Sequence, residues 1–435
     1  RTLAAHIIME RLGCGCRRVN SIFCKSTKYL IGTRCPLPAV RRYLAPHVCR
    51  VNNTIYSDVI QEVTNYFQDI FHNVRPYHFN DRIDDLKLST SPGIFYRKLG
   101  YRTKAEVIDD EKGLERLRYC VHTIKTGMKT DCRQFLTRLV VTKAYVDDDK
   151  VKTRVIWVYP IEICAAENMF YAGFRDRLPS DWVPTPEVYH PRFCNKNSHS
   201  ADYSNFDSHV PARVIYDAFR ILRSCMNFDT YEGGAIPYSE TSLERLWSFI
   251  VRYFIHTPFI VGEHKHIKHH GVPSGSMFTN LVDTICSRII TTYLHRDNGC
   301  NACVTTYGDD VHVRDCLCEA TELETGARDT FGMKLTVVAP NEHGCLTYCK
   351  AECHLGQPFH SGLWYSNILA CVSSKLRPSV AWCLQYTCPT YKQFRQLRVI
   401  SCKERVEINQ SKWFLNWLYK FREYWPTFRH LVSAI

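Results

Sequence analysis

Val304-Thr305-Thr306-Tyr307-Gly308-Asp309-Asp310-Val311-His312-Val313 is the stretch on which the fold turns. β-Branched residues lead in, apolar and polar residues alternate on the way out, and Gly-Asp lies between them. That pattern predicts a hairpin over residues 302–313. A plain hairpin explains the glycine. It does not explain two adjacent acids at the tip, whose repulsion is costly unless something cationic sits beside them.

Upstream, Asp202-Tyr203-Ser204-Asn205-Phe206-Asp207 follows a short predicted strand near 199–204. It puts one carboxylate at a strand end and another past a turn. A carboxylate on a rigid strand end suits a hard divalent cation. Alone, the hexapeptide reads more readily as a solvated turn capping the helix that opens at Pro211. Between the acids runs Gly271-Val272-Pro273-Ser274-Gly275-Ser276-Met277-Phe278-Thr279-Asn280, a small-residue loop entering a helix, with Ser274 or Ser276 as its cap. Its amides and hydroxyls can meet a sugar or a nucleic-acid backbone. Further upstream, Lys143 and Lys152-Thr153-Arg154 supply basic residues able to neutralise a triphosphate. The strand predicted there covers 151–158.

The remaining pattern is α+β. A helix capped by Ser57 buries Val59, Ile60, Val63, Phe67, Ile70 and Phe71. Residues 87–105 read as loop, broken at Ser91-Pro92-Gly93. A polar, proline-rich connection covers 180–200. A helix spans about 240–255, a hairpin 258–268, and another helix ends near Gly332. From about 365 the chain reads as helical, with Trp413, Phe414, Trp417, Leu418 and Phe421 as a packing surface.

The 435 residues are 45% hydrophobic, enough for a substantial core, and carry a formal net charge of +13, which favours a polyanionic partner. The 22 cysteines follow no disulfide framework and read as reduced thiols. No apolar run reaches the length of a membrane span, and no secretory signal is present. A first residue of Arg1 suggests a fragment or a processed product.

Basic strand, acid-bearing turn, glycine-serine loop and Gly-Asp-Asp hairpin occur in one order, which chance would rarely produce. That order resembles motifs F, A, B and C of viral RNA-dependent RNA polymerases, most nearly those of the partitivirus and picobirnavirus group of double-stranded RNA viruses. Ser91-Pro92-Gly93 with Gly100-Tyr101-Arg102-Thr103-Lys104 is similar to that group's template-side motif. Lys152–Pro160 with Glu167 is similar to its motif F, and His354-Leu355-Gly356-Gln357 to its motif E. The likeness covers roughly residues 87–362.

The resemblance implies a right-hand polymerase whose small antiparallel palm sheet is backed by helices. The expected regions are fingers and N-terminal region over 1–195, palm over 196–225, a fingers insertion over 226–264, palm over 265–362 and thumb over 363–435. It implies two-metal nucleotidyl transfer, with Asp202, Asp309 and Asp310 holding Mg²⁺, or Mn²⁺ in its place. Asp207, Ser274, Gly275, Thr279, Asn280 and Asp283 are expected around the ribose, and Lys143, Lys152 and Arg154 on the triphosphate. Related positive-strand enzymes carry Asn nine positions after the motif B serine, where this chain has Asp283. Lys334 and Lys350 both compete for the general-acid role of motif D. RNA template, nascent RNA, ribonucleoside triphosphates and a capsid protein are the implied partners, with no membrane. The implied place is the host cytoplasm, within the virion.

Two other readings compete. A reverse transcriptase shares the sheet and the metals but carries a bulky sugar gate, whereas Asp207 and Gly308 favour RNA synthesis. A non-catalytic RNA-binding protein would not need Asp202, Asp309 and Asp310 intact. Cys300, Cys303, Cys316 and Cys318 flank the hairpin, yet their spacing is unusual and structural zinc is not expected. His264, His266, His269 and His270 read as a polar strand, and Cys345, Cys349 and Cys353 as an isolated periodicity.

Overall fold

The computed structural model describes residues 37–128, 131–147, 150–179, 182, 197–261, 263–340, 346–349, 351–354 and 357–359. In chain order, α1 (Leu37–Arg41), α2 (Asn53–Ile70), α3 (Ile94–Lys98), α4 (Lys104–Asp109) and α5 (Glu111–Lys125) precede a long ribbon. The ribbon is β1 (Thr137–Asp147) and β2 (Lys150–Val158), followed by α6 (Ile161–Arg175). Next come β3 (His199–Tyr203), α7 (Ala212–Ser224), α8 (Ser242–Ile255), β4 (Pro258–Val261) and β5 (His264–Ile267). The last part holds α9 (Thr279–Asp297), β6 (Cys303–Tyr307), β7 (Asp310–Arg314), α10 (Ala320–Phe331), β8 (Leu335–Val338), β9 (Thr347–Tyr348), β10 (Ala351–His354) and β11 (Gln357–Phe359).

One antiparallel sheet has the order β6-β7-β3-β8, so the strand bearing Asp202 lies between the second hairpin strand and β8. Helix α9 packs beneath it against β6 and β7, and α10 packs against β8. A second sheet has the order β2-β1-β4-β5, with β1 and β4 parallel at their single junction. A third, β11-β10-β9, touches β7 through β9.

Helix α9 is buried on nearly all sides, as a helix becomes when it serves the core of several layers. Leu281, Val282, Ile285, Cys286, Ile289 and Ile290 join the common core with α2 and α7. Phe278 just ahead of it gathers Tyr171, Phe219 and Trp247 in edge-to-face contacts. Such rings bury large apolar areas and fix mutual orientation. The cluster therefore fixes where the glycine-serine loop enters the helix.

Several local expectations change. The first long helix begins at Asn53, capped by the Asn52 side chain on the Thr54 amide, so Ser57 lies inside it. Residues 87–105 are not all loop: α3 forms after Gly93, and Thr103 caps α4. Pro211 is the N-cap of α7 rather than its first residue. Phe278, not a serine, holds the N-cap position of α9. The helical C-terminal expectation, with Trp413, Phe414, Trp417, Leu418 and Phe421, lies outside the described residues. Among the described residues no helix is long and apolar enough to cross a membrane.

Candidate active site

Strand parity explains why the acids meet. Along β3, Ala201 and Tyr203 are buried and Asp202 between them is exposed, as the two-residue period requires. The β3–β7 register pairs Asp202 with Asp310, and the β6–β7 register pairs Tyr307 with Asp310. Gly308-Asp309 is thus a two-residue turn at the sheet end where Asp202 emerges. Gly308 takes φ +60, the left-handed region that such a turn favours. Asp309 is exposed and Asp310 half-buried. The carboxylate oxygens of Asp202, Asp309 and Asp310 do not form one set within 4.8 Å.

The turn is held from below by residues that the motifs did not mark. Thr284 Oγ1 accepts from the Gly308 amide at 2.9 Å, and Ser287 Oγ donates to the Gly308 carbonyl at 2.6 Å. Thr306 Oγ1 donates to the Thr284 carbonyl at 2.9 Å. Seven residues along from Thr284, the Thr291 hydroxyl meets Tyr203 Oη at 2.9 Å. Thr284, Ser287 and Thr291 form a buried polar stripe at helical spacing along α9. It fixes the height of the turn relative to β3.

The glycine-serine loop is pinned on three sides. Buried Lys268 donates to the carbonyls of Phe254, Ile255 and Gly271. Ser274 Oγ accepts from the Trp157 amide at 3.3 Å, joining the loop to β2. A Cβ at Gly275 would lie 1.9 Å from the Trp157 carbonyl oxygen, so only glycine fits there. On α6, fully buried Glu167 accepts from Ser276 Oγ and from the Met277 amide, both at 2.8 Å. Thr279 Oγ1 donates back to the Pro273 and Ser276 carbonyls. The hydroxyls of Ser274 and Thr279 therefore shape the loop.

Burial pushes the Glu167 carboxyl up to about 8, although the Met277 amide, the Ser276 hydroxyl and the Lys104 charge oppose the shift. The folded chain then holds a proton that the unfolded chain has lost. This contribution to stability is complete below about pH 4.5 and is lost as pH rises towards about 8. Glu167→Gln removes the titration while keeping an acceptor. Its melting temperature should fall less than the parent's across that interval. Parallel melting curves at every pH would mean that Glu167 titrates normally.

Deeper in the site, Asp283 is buried and its Oδ1 lacks a hydrogen-bond partner. Burial, then the charges of Asp207 and Asp309, raise its carboxyl well above the usual range. Asp283 thus faces both the turn after β3 and the Gly-Asp-Asp turn. Asn280 also reaches the site, its Nδ2 3.5 Å from where a Gly308 Cβ would stand. Burial, then the charges of Asp207 and Asp283, raise the Tyr43 hydroxyl, and its ring packs edge-to-face on Trp157. Arg42 donates to the Asn205 side chain. Arg42 and Tyr43, in a segment that carried no sequence signal, therefore stand beside this site. Cys349 is another addition: burial and then Asp310 raise its thiol.

The other predicted residues sit further out. Lys143 pairs in register with Thr153, Lys152 with Ala144 and Arg154 with Thr142, on the β1–β2 ribbon whose end holds Ser274. Ser91-Pro92-Gly93 packs on the start of α6, where the Pro92 carbonyl accepts from the Ile161 amide at 3.0 Å. Lys334 is exposed beside β8, and its carbonyl accepts from the Ser204 amide. Lys350 lies outside the described residues. His354 and Gln357 pair across β10 and β11.

The sequence pattern of one family, viral RNA-dependent RNA polymerase, matches residues 43–180 and 188–337. The chain is 27% identical over 154 residues to an RNA-directed RNA polymerase of Cryptosporidium parvum virus 1 (strain KSU-1). That stretch is 33% of this chain and 27% of the relative. It is 26% identical over 255 residues to the genome polyprotein of Encephalomyocarditis virus, covering 53% of this chain and 10% of the polyprotein. A genome polyprotein of Human parechovirus 2 (strain Williamson) is 23% identical over 330 residues, covering 66% of this chain and 14% of the polyprotein. The chain thus spans only a minor part of each of these relatives.

Proposed function

The chain belongs to the viral RNA-dependent RNA polymerase family, and from that premise we propose that it copies viral RNA by two-metal nucleotidyl transfer. The observation that carries the reading is the register of Asp202 with Asp310, beside a Gly308-Asp309 turn clamped by α9. The β6-β7-β3-β8 sheet would be the palm (196–225 and 265–362). The β2-β1-β4-β5 sheet would belong to the fingers (1–195 and 226–264), and residues 363–435 would be the thumb. The likeness of residues 91–104 and 152–160 to the partitivirus and picobirnavirus group supports replication and transcription of a double-stranded RNA genome. That reading brings a capsid protein as partner and a place within the virion in the host cytoplasm.

The donor set fits a hard cation, because it offers carboxylate oxygens of which two belong to exposed residues. Mg²⁺, or Mn²⁺, held by Asp202, Asp309 and Asp310 would lower the pKa of the primer 3′-hydroxyl and neutralise charge on the triphosphate. Arg154, Lys152 and Lys143 meet that triphosphate from the ribbon. Ser91-Pro92-Gly93 braces the template side through α6. Asp207 accepts a hydrogen bond from the ribose. Ser274, Gly275 and Thr279 act on the sugar through the shape of the loop, and Asn280 through the turn.

Asp283 explains its own departure from the related positive-strand enzymes. Burial, the largest cause of its raised pKa, favours the neutral carboxyl, which can donate as the amide of Asn would. The 2′-hydroxyl is the feature that separates the two sugars, so a buried donor beside it sets the choice. Primer extension on a defined RNA template tests the proposal, with ribo- and deoxyribonucleotides in separate reactions. The parent and Asp283→Asn should both prefer ribonucleotides. Asp283→Leu should lose roughly ten- to a hundredfold of that preference, the worth of about 1–3 kcal/mol. A parent that prefers deoxyribonucleotides would instead be a reverse transcriptase. A parent with no synthesis but good RNA binding would be a non-catalytic RNA-binding protein.

A further inference from the structure

At the opposite end of the same sheet, three chain segments bring five metal-binding side chains together. Cys300, Cys316 and Cys318 have their sulfurs within 4.8 Å of one another. His199, His295 and Cys316 form a second such group, so Cys316 belongs to both. The convergence is built by the backbone: the Cys300 amide donates to the His295 carbonyl at 2.8 Å, and the Cys316 amide to the Asn197 carbonyl at 3.1 Å. The rings of His199 and His295 stack 5.5 Å apart. Cys303, the fourth cysteine of the sequence cluster, is exposed on β6, where Arg314 donates to its sulfur at 3.2 Å.

A second observation points to a ligand. His295 is 1% exposed, and its Nδ1 donates to the Thr291 carbonyl at 2.7 Å. That bond leaves the lone pair on Nε2, which is buried without a partner. A metal-ligating histidine is oriented in this way, one ring nitrogen held by a carbonyl and the other offered to the ion.

We propose that Cys300, Cys316, Cys318 and His295 bind one structural zinc ion, with His199 stacked against the imidazole. Three thiolates and one imidazole are a closed tetrahedral set. Their donors need to stand roughly 3.3–3.8 Å apart; the two groups share Cys316 alone, so binding requires side-chain rotation that draws His295 and the other two sulfurs together. The expectation against zinc rested on the unusual spacing of four cysteines; in this set a histidine from α9 takes the place of Cys303. His199 pairs with Val313 in the register that pairs Asp202 with Asp310. Three residues of strand, roughly 10 Å, therefore separate the cluster from the carboxylates. The ion would tie the end of α9 to the segment that follows β7, without touching substrate.

The reduced chain should carry about one zinc after loading and dialysis against excess Mg²⁺. Cobalt in its place should give thiolate-to-metal charge transfer and the visible bands of a tetrahedral site. Cys316→Ser should lose the metal and melt at a lower temperature, while Cys303→Ser should keep both. If Cys316→Ser does not fold, Cys318→Ser and the cobalt spectrum of the unaltered chain decide. Zinc below about a tenth of an equivalent, no charge-transfer band, or loss of metal in Cys303→Ser alone would overturn the assignment.

Discussion

Asp309→Asn should abolish nucleotide addition while leaving RNA binding and folding intact. The side chain is exposed at a two-residue turn, so nothing in the core depends on it. Asparagine suits that turn as well as aspartate does. The substitution removes one negative charge beside Asp310 and from the field that raises Asp283. Repulsion falls, and the melting temperature should stay level or rise. Activity should move the other way, because an amide is a poor ligand for a hard cation. Loss of about 4 kcal/mol of transition-state stabilisation would lower kcat about a thousandfold. RNA affinity should change by less than about threefold, since no phosphate-binding cation has been removed. Primer extension, fluorescence anisotropy on the same RNA and a thermal melt give the three readouts. Synthesis at the parent rate would mean that this carboxylate is not a metal ligand. Joint loss of synthesis and stability would mean that its role is to hold the fold.

The place of the paired acids at a hairpin tip was legible in the sequence, and adjacent acids there conflict with local electrostatics, which is why they drew attention. The hairpin itself followed from β-branched residues around Gly308-Asp309. Register was out of reach: nothing local says that β3 slots between β7 and β8, so the Asp202–Asp310 pairing depends on the whole sheet. The clamp under the turn was partly visible. Thr284, Ser287, Thr291 and His295 recur at intervals of three, four and four along a helix whose Leu281, Val282, Ile285, Ile289 and Ile290 mark it for the core. A buried polar stripe at that spacing needs partners and could have been flagged. Tyr43 and Arg42 gave no such signal, because a tyrosine and an arginine in a basic segment fit any surface. The cap of α2 was missed for a local reason. Asn52 caps as well as Ser57 does, and the apolar period alone leaves the first turn undetermined. Glu167 stood out only through the family likeness. Its partners lie more than a hundred positions away, at Ser276 and Met277.

Gly275→Ala should be the most damaging single methyl addition at this site. Its Cβ would stand 1.9 Å from the Trp157 carbonyl oxygen and 2.9 Å from the carbonyl carbon. Both atoms are backbone, so no rotamer change relieves the clash. Nor can β2 retreat, because Trp157 is 1% exposed and held edge-to-face by Tyr43 and Phe259. The loop must move instead. Its displacement pulls on the Ser274 bond to β2 and on the two Glu167 bonds that position Ser276 and Met277. Overpacking of this kind costs about 1–3 kcal/mol. The catalytic cost should be larger in proportion, because a shift of about 1 Å in a positioning element loses about a hundredfold in rate. Gly308→Ala is the instructive contrast. Its φ of +60 costs about 1–2 kcal/mol for a residue with a Cβ, but the nearest atom, Asn280 Nδ2, is 3.5 Å away. Gly233, with nothing within 4 Å, should accept alanine without loss. Single-turnover extension should therefore rank the variants 275 far below 308, with 233 equal to the parent. If Gly275→Ala extends primers as fast as Gly233→Ala, the loop is not braced against β2, and sugar selection through its shape loses its basis.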